Sequence, residues 1–398
     1  TDGDINRYRI ALPSLDIITI GAGGGSMGWV DSGGLLQMGP QSAGSLPGPV
    51  CYGQDGEVPA CTDADLVLGY LDPNYFAGGK YKLNKKKAEE VLEKKLATPL
   101  GLSVTETAAG MYRVINMNMA QGVRQVSVER GYDPREFLMI VAGGAGSIHA
   151  GEICRELEIP MFVVPNVAPI FCATGMLLGD LKHDYVRSYI TRLSEINKDY
   201  FLKLYDEMTK ESIQTLSKEG IEQENINLIP TLDLRYVGQY HEVPLQVEMN
   251  DVLSLNFNEI KKVFHKEHNR QFGYSLKEEG TELEMINVRL RAIGVTEKPN
   301  SFAKIDNSEP ILNPEFALKS KWDAYIPESE KVQEIPVFDG DKLTGKYTIK
   351  GPAIIEQVNT TIFLGNTYDC HTGISGSFIV FNREKYPNGF NMNKEKLN

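Results

Sequence analysis

The sequence predicts an α/β fold with a β-rich C-terminal region, and three observations carry that prediction. First, the apolar run 137–141 leads through Gly143, Gly144, Ala145, Gly146 and Ser147 into a helical pattern with Ile148, Ile153 and Leu157. That pattern is followed by a second apolar run, 161–164, so the stretch reads as strand, glycine loop, helix, strand. Second, Ser103 and Glu106 form a capping box ahead of a long amphipathic helix. Third, alternating strands and helices follow residue 192, and short strands dominate from 301 onward.

Residues 1–60 read as strand and turn. The run 15–20 is apolar and enters a loop containing Gly21, Ala22, Gly23, Gly24, Gly25 and Ser26. Glycine runs let backbone N–H groups close on an anion without Cβ clashes, so two such loops in one chain suggest a nucleotide gripped from two sides. The segment 23–28 matches G-x-G-x-x-G, but that fingerprint requires a helix to open at the loop. Here Trp29, Val30 and Asp31, then Ser32-Gly33-Gly34, then Leu35 to Met38 read as strand, turn, strand, so the Rossmann reading fails on context. A Walker-type loop is absent. The turn-rich stretch 39–49 is expected to shape a binding rim.

A short helix is expected over 62–69 with Thr62 or Asp63 as its N-cap; a metal or substrate role for Asp63 or Asp65 is the alternative. A Lys/Glu-rich helix at 84–96 reads as a solvated face. The helix opened by Ser103 carries Val104, Ala108, Met111, Tyr112, Ile115, Met119, Val123 and Val126 on one stripe. Arg113, Asn116, Asn118 and Arg124 lie off it, read as surface or helix–helix polar contacts with contact to a ligand as the alternative. The second glycine loop could serve an ordinary βα turn or, with the helix N-terminus behind it, a phosphate. His149, on the first helical turn, is the histidine best placed for function.

The composition shift at Arg192 sets a first domain at 1–192. A small α/β module at 193–298 holds an amphipathic helix with Tyr200, Phe201, Leu204, Tyr205 and Met208 inward. It also holds a strand through Leu232, Leu234 and Tyr236, and another through Ile286, Val288, Leu290 and Ala292. A β-rich module at 299–384 and a disordered tail at 385–398 complete the plan.

The balance of 53 acidic against 41 basic residues, net −12, argues against a nucleic-acid partner bound through a broad basic face. No apolar run reaches the roughly 18 residues of a membrane span. Residues 1–10 do not read as a secretory signal. Five scattered cysteines without C-x-x-C spacing point to reduced thiols in the cytoplasm, with pairing of Cys51 and Cys61 disfavoured and no metal site expected. His265 and His268 are assigned a surface or core role. Thr1 is taken as a boundary, not a nucleophile.

At this point specific residues carry a resemblance. Residues 16–26, 39–44, 62–69, the loop Gly143-Gly144-Ala145-Gly146 with His149, 179–187 and 351–356 resemble the hydantoinase A/5-oxoprolinase family across essentially the whole chain. That family includes ATP-dependent cyclic-amide hydrolases and subunits of acetone and acetophenone carboxylases. The resemblance implies part of an actin-like, sugar-kinase-like ATPase domain followed by a mixed α/β and β-rich region. It implies ATP-dependent phosphorylation of a carbonyl oxygen on a small-molecule substrate, and a hydantoinase B-type partner subunit in a hetero-oligomer. The nucleotide would meet Gly21, Gly23, Gly24, Gly25, Ser26, Gly143, Gly144, Ala145, Gly146 and His149.

The family's Asp-x-Gly-Gly-Thr phosphate loops are not in these 398 residues. The chain thus resembles the latter part of a full-length member, as a truncated or processed piece or one product of a split gene. The missing N-terminal lobe, supplied in cis or trans, would bring the Mg²⁺ ligands. Three readings stand: a cyclic-amide hydrolase, a ketone carboxylase subunit, or a non-catalytic assembly subunit. Gly144→Val is expected to remove nucleotide binding with the fold intact.

Overall fold

The computed structural model describes residues 2–5, 8–13, 17–298, 311–373 and 376–387. Its contacts divide the chain into two units, residues 1–172 with 301–398, and residues 173–300.

The first unit is held together by a six-stranded sheet that draws on both ends of the chain. Its order is Ile311–Leu312, Tyr347–Lys350, Tyr368–Thr372, Phe378–Asn382, Met161–Val164, Met139–Ile140. Phe378 pairs with Val164 and Phe381 with Met161 in an antiparallel register, whereas Met139–Ile140 runs parallel to Met161–Val164. The C-terminal strands therefore do not form a separate module from 299: they extend the sheet begun by the second glycine loop's own strands.

A second sheet of four strands, Leu318–Ile326, Lys331–Asp339, Ala353–Glu356 and Thr361–Leu364, shares one hydrophobic core with the long helix Val104–Val126. On the apolar stripe of that helix Ala108, Met111, Tyr112 and Ile115 are buried, while Val126 at its last position is exposed. Ser103 accepts from Glu106 N–H at 3.2 Å and Glu106 accepts from Ser103 N–H at 2.8 Å, the reciprocal box expected from sequence. The helix Gly146–Leu157 covers the six-stranded sheet through Ile153, Cys154 and Leu157, which join Phe162, Tyr368, Phe378 and Val380 in one core.

The expected strand before the first glycine loop is not formed. Residues 17–20 have no strand pairing and Ile17 is 79% exposed, while residues 15 and 16 lie outside the described residues. An apolar run makes a strand only where a neighbour offers a ladder, and none is paired there. The hairpin after the loop is as expected, Ser26–Val30 against Leu36–Ser42.

The second unit is a four-stranded antiparallel sheet, ordered Leu181–Arg192, Leu283–Gly294, Ile226–Tyr236, Val243–Gln246, with the helices Lys198–Lys218 and Phe257–Phe272. The boundary expected at 192 cuts this sheet's edge strand away, because Leu181–Arg192 pairs with Leu283–Gly294 along its length. On the first helix Phe201, Leu204, Tyr205 and Met208 are buried, but Tyr200 is exposed. Ile286 is only half-buried, since a bulge between Met285 and Asn287 shifts the register. The buried side is thus Leu283 and Met285 before the bulge and Val288, Leu290 and Ala292 after it.

No helix among the described residues is long and apolar enough to cross a membrane. The tail from 388 lies outside the described residues.

Candidate functional site

The two glycine loops meet. Both border one cleft of about 300 Å³ in the first unit, the first loop through Gly24 and Gly25 and the second through Gly144 and Ala145. A Cβ built on Gly24 would stand 2.9 Å from Thr62 Oγ1, too close for a side chain, and 3.7 Å from Ala145 Cβ of the other loop, an ordinary contact. Thr62 fixes the first loop from the helix Cys61–Val67, donating its hydroxyl to the Gly24 carbonyl at 2.9 Å.

The remaining loop residues build the turns behind the cleft. Gly21 and Gly23 are joined to Ser26, whose Oγ accepts from Gly23 N–H at 3.0 Å and donates to the Gly21 carbonyl at 3.4 Å. Gly143 has φ +99°, a conformation open to glycine. A Cβ on Gly146 would press on Val141 at 3.0 Å. Gly21, Gly23, Ser26, Gly143 and Gly146 therefore shape the loops without lining the cleft.

His149 does not line it either. It lies 1% exposed beneath the loop, Nδ1 at 2.9 Å from Asn116 Oδ1 and its ring stacked on Tyr112 with centroids 5.2 Å apart. A histidine at the fourth position of a helix points back along the packed face, which is why the first helical turn takes it inward. Asn116, off the apolar stripe of its helix, is 5% exposed for the same contact.

A third wall comes from the turn after Ala353–Glu356. Gln357, Val358, Asn359, Thr360 and Thr361 line the cleft, and Thr360 Oγ1 donates to the Gly144 carbonyl at 2.9 Å. Ser147 Oγ, on the other loop's helix, donates to the Thr361 carbonyl at 2.7 Å. A Cβ at Gly144 would stand 3.0 Å from the Asn359 carbonyl. Gly144→Val thus strains this wall as well as filling the cleft, which corrects the expectation of an untouched fold.

The opposite side carries Tyr52, Leu71, Asp72, Tyr75 and Phe76, with Tyr52 and Phe76 ring centroids 5.6 Å apart. Gly44 and Pro49 also line the cleft, so the rim expected over 39–49 is at the site. Asp65, Asp72 and Glu356 bring carboxylates to the lining. Lys319 pairs with Glu356 and with Asp72 at 3.5 Å, and sits 3.6 Å above the Tyr75 ring. Burial holds the Glu356 carboxyl above its ordinary range in spite of that lysine. The lining has no Lys or Arg among the described residues.

Asp63 caps its helix from the third position. Its carboxylate accepts N–H bonds from Cys51 at 2.7 Å, Ala60 at 2.8 Å and Val50 at 3.1 Å, and Ala60 is the N-cap residue instead of Thr62 or Asp63. Burial nevertheless raises the Asp63 carboxyl above its ordinary value. Burial, with Asp65 beside it, also raises the Cys61 thiol. All five cysteines are unpaired. His268 is buried between the Tyr274 carbonyl at 3.0 Å and Gln239 at 3.2 Å, and His265 meets the Tyr236 hydroxyl at 2.8 Å.

The aromatic side and the 357–361 wall were not legible as site residues in sequence. Their one signal was the proline-bearing motif at 351–356, which precedes that wall.

The hydantoinase/oxoprolinase family model matches residues 1–185, and its C-terminal domain model matches residues 194–372. The chain is 34% identical to the caprolactamase subunit alpha of Pseudomonas jessenii, over 91% of this chain and 52% of that protein. It is 33% identical to the acetophenone carboxylase gamma subunit of Aromatoleum aromaticum, over 90% of this chain and 50% of that protein. Among solved structures, nucleotide-free acetone carboxylase superposes with TM-score 0.83 at 24% identity, covering 96% of this chain and 55% of that one. The ATP-dependent caprolactamase of Pseudomonas jessenii superposes with TM-score 0.65 at 32% identity, with the same coverage. The chain spans about half the length of the curated relatives it matches. Its two matched segments, its cleft-forming glycine loops and its mixed α/β architecture identify it as a member of the hydantoinase/oxoprolinase family.

Proposed function

We propose that the cleft is the nucleotide site of an ATP-dependent enzyme acting on a cyclic amide, to which this chain contributes the part carrying the two glycine loops. The observation behind this reading is the convergence of Gly24 and Gly25 with Gly144 and Ala145 on one cleft, beside the start of a 12-residue helix. Tyr52 and Phe76 offer rings for a base to pack on. With no Lys or Arg in the lining, backbone N–H groups, the helix start and Mg²⁺ would carry the phosphate charge. The Mg²⁺ ligands are assigned outside this chain, on an N-terminal lobe in cis or trans. Bound ATP would supply a phosphoryl group to a substrate carbonyl oxygen, making a poor electrophile reactive.

An actin-like, sugar-kinase-like ATPase domain within the first unit and a hydantoinase B-type partner belong to the same reading. So does a cytoplasmic location, supported by five unpaired cysteines. A ketone carboxylase subunit is the second reading, since identity does not separate the two: 33% to an acetophenone carboxylase subunit and 34% to the caprolactamase subunit.

Equilibrium dialysis with Mg-ATP, on the chain with its lobe supplied, tests the site. Val358→Trp at the exposed lip, and Gly144→Val with a thermal-melt control, should each weaken binding at least about tenfold. Unchanged affinity in both would leave the assembly-subunit reading. ATP-dependent turnover of lactams, hydantoins and oxoproline against ketones with bicarbonate then separates the two enzymatic readings.

A further inference from the structure

Behind the cleft, three unlike donors converge, all on buried side chains. Cys61 and Asp65 are one turn apart on the helix Cys61–Val67, which sets them on one face. His149 reaches them from a helix 88 residues further along the chain. Cys61 Sγ lies 3.5 Å from His149 Nε2, Asp65 Oδ2 lies 3.6 Å from the same nitrogen, and Sγ to Oδ2 is 3.8 Å. Cys61 and Asp65 are 0% exposed and His149 is 1% exposed.

Hydrogen bonding alone leaves this cluster unexplained. An N–H···O bond closes to about 2.7–3.2 Å, so the Asp65–His149 contact is too long to be one. Asp65 Oδ1 has no partner among the described residues and Oδ2 accepts only from the Cys61 thiol at 3.8 Å, a poor return for a buried carboxylate. With Asn116 Oδ1 accepting the Nδ1–H of His149 at 2.9 Å, the lone pair on Nε2 faces the carboxylate and the sulfur. Three potential ligand atoms then lie within 4.8 Å of one another.

The spacing fits a cation at that centre. Zn–S near 2.3 Å and Zn–N or Zn–O near 2.0–2.2 Å, at tetrahedral angles, require ligand atoms about 3.3–3.7 Å apart. Two of the observed separations, 3.5 and 3.6 Å, fall in that range and the third, 3.8 Å, lies just beyond it, a difference that a side-chain adjustment closes. We propose that Cys61, Asp65 and His149 bind a thiophilic divalent cation, for which Zn²⁺ is the best match, with Asn116 orienting the histidine. The charges balance: a dication with one thiolate and one carboxylate sums to zero in a buried place. On binding, the Cys61 S–H bond breaks, the sulfur's electron pair goes to the metal and the proton leaves to solvent. Asp65 also lines the cleft, so water from that side would take the fourth position. The C-x-x-C and H-x-x-H spacings that a sequence search looks for do not find this site, because its donors come from two distant helices. Nothing in the proposal depends on the nucleotide assignment.

The test is metal binding by the purified chain. After loading with Zn²⁺ and gel filtration, elemental analysis should return about one zinc per chain. Replacement by Co²⁺ should give a thiolate-to-cobalt absorption band in the near ultraviolet. Cys61→Val, close in volume, should abolish that band. Asp65→Asn should weaken Zn²⁺ at least tenfold in a chelator competition, and Asn116→Leu about 10- to 100-fold. A thermal melt of each variant reports folding. Folded wild-type protein with substoichiometric zinc and no thiolate band would overturn the proposal, and so would binding indifferent to both Cys61→Val and Asp65→Asn.

Discussion

Thr62 grips the carbonyl oxygen of Gly24 twice, through its hydroxyl at 2.9 Å and through its own backbone N–H at 2.9 Å. One oxygen therefore holds the first glycine loop against a helix start that is otherwise 38 residues away in sequence. Thr62→Val removes only the hydroxyl half of this grip. The expected loss is about 1 kcal/mol, read as a shift in the urea midpoint with an unchanged slope. Because the loop borders the cleft, Mg-ATP affinity should fall by a larger factor than stability alone explains. Equal affinity in the two proteins would mean the loop does not touch the nucleotide.

Asp63 carries more weight in the fold than its neighbour. Its carboxylate is the acceptor for the N–H groups of Val50, Cys51 and Ala60, all in buried surroundings. Asp63→Ala would leave three donors stranded, and each orphaned buried group costs roughly 1–3 kcal/mol. A loss on the order of 3 kcal/mol or more is expected in equilibrium unfolding. Asp63→Asn keeps acceptor oxygen and should cost clearly less. A variant pair of equal stability would contradict the capping geometry.

These residues also mark how far the sequence can be read. The capping box at Ser103, the hairpin at 26–42 and the strand–loop–helix of the second glycine loop are local patterns, and each formed where its residues predict. The segment 15–20 has the composition of a strand, yet its described part pairs with nothing, since pairing is a property of the neighbour. Ile286 looked inward by alternation and was displaced by a one-residue bulge, which composition does not announce. At the site, Gly24 and Gly144 were legible because a missing Cβ is visible in sequence. Thr360 and Tyr52 were not, because what makes them site residues is proximity across long stretches of chain. His149 was noticed for its place after a glycine loop, and its burial against Asn116 turned it to the other side of that loop.

The imidazole of His371 gives a pH dependence with a definite sign. It is packed against the Phe381 ring, centroids 4.6 Å apart, and its Nδ1 meets Thr348 Oγ1 at 2.7 Å. Burial lowers its pKa from the ordinary 6.5, with the nearby Asp369 carboxylate opposing part of the shift. Below 6.5 the unfolded chain then binds a proton that the folded chain resists, so stability falls with falling pH. The contribution is complete above 6.5 and declines as pH drops toward the lowered value. His371→Gln should flatten the melting temperature between about pH 7.5 and 5.5 relative to the parent. Parallel curves for the two proteins would remove His371 as the titrating group.

Thr360 is where the third wall of the cleft is latched to the second glycine loop. Its hydroxyl donates to the Gly144 carbonyl at 2.9 Å and lies 2.8 Å from Ser147 Oγ, which itself donates to the Thr361 carbonyl at 2.7 Å. Ser147 and Thr360 are both buried, and with both hydroxyl hydrogens directed at carbonyls the 2.8 Å contact joins two oxygens that share one small network. Thr360→Val keeps the volume and deletes the hydroxyl, leaving the Gly144 carbonyl without this donor. A loss of about 1 kcal/mol is expected, the net worth of one hydrogen bond whose acceptor faces the cleft and can turn to water. Ser147→Ala should lose a similar amount, and the double variant should lose less than the sum, since both hydroxyls belong to one network. A double-mutant cycle on chemical unfolding measures that coupling. Strict additivity would mean that the wall and the loop are held independently, and that opening one leaves the other in place.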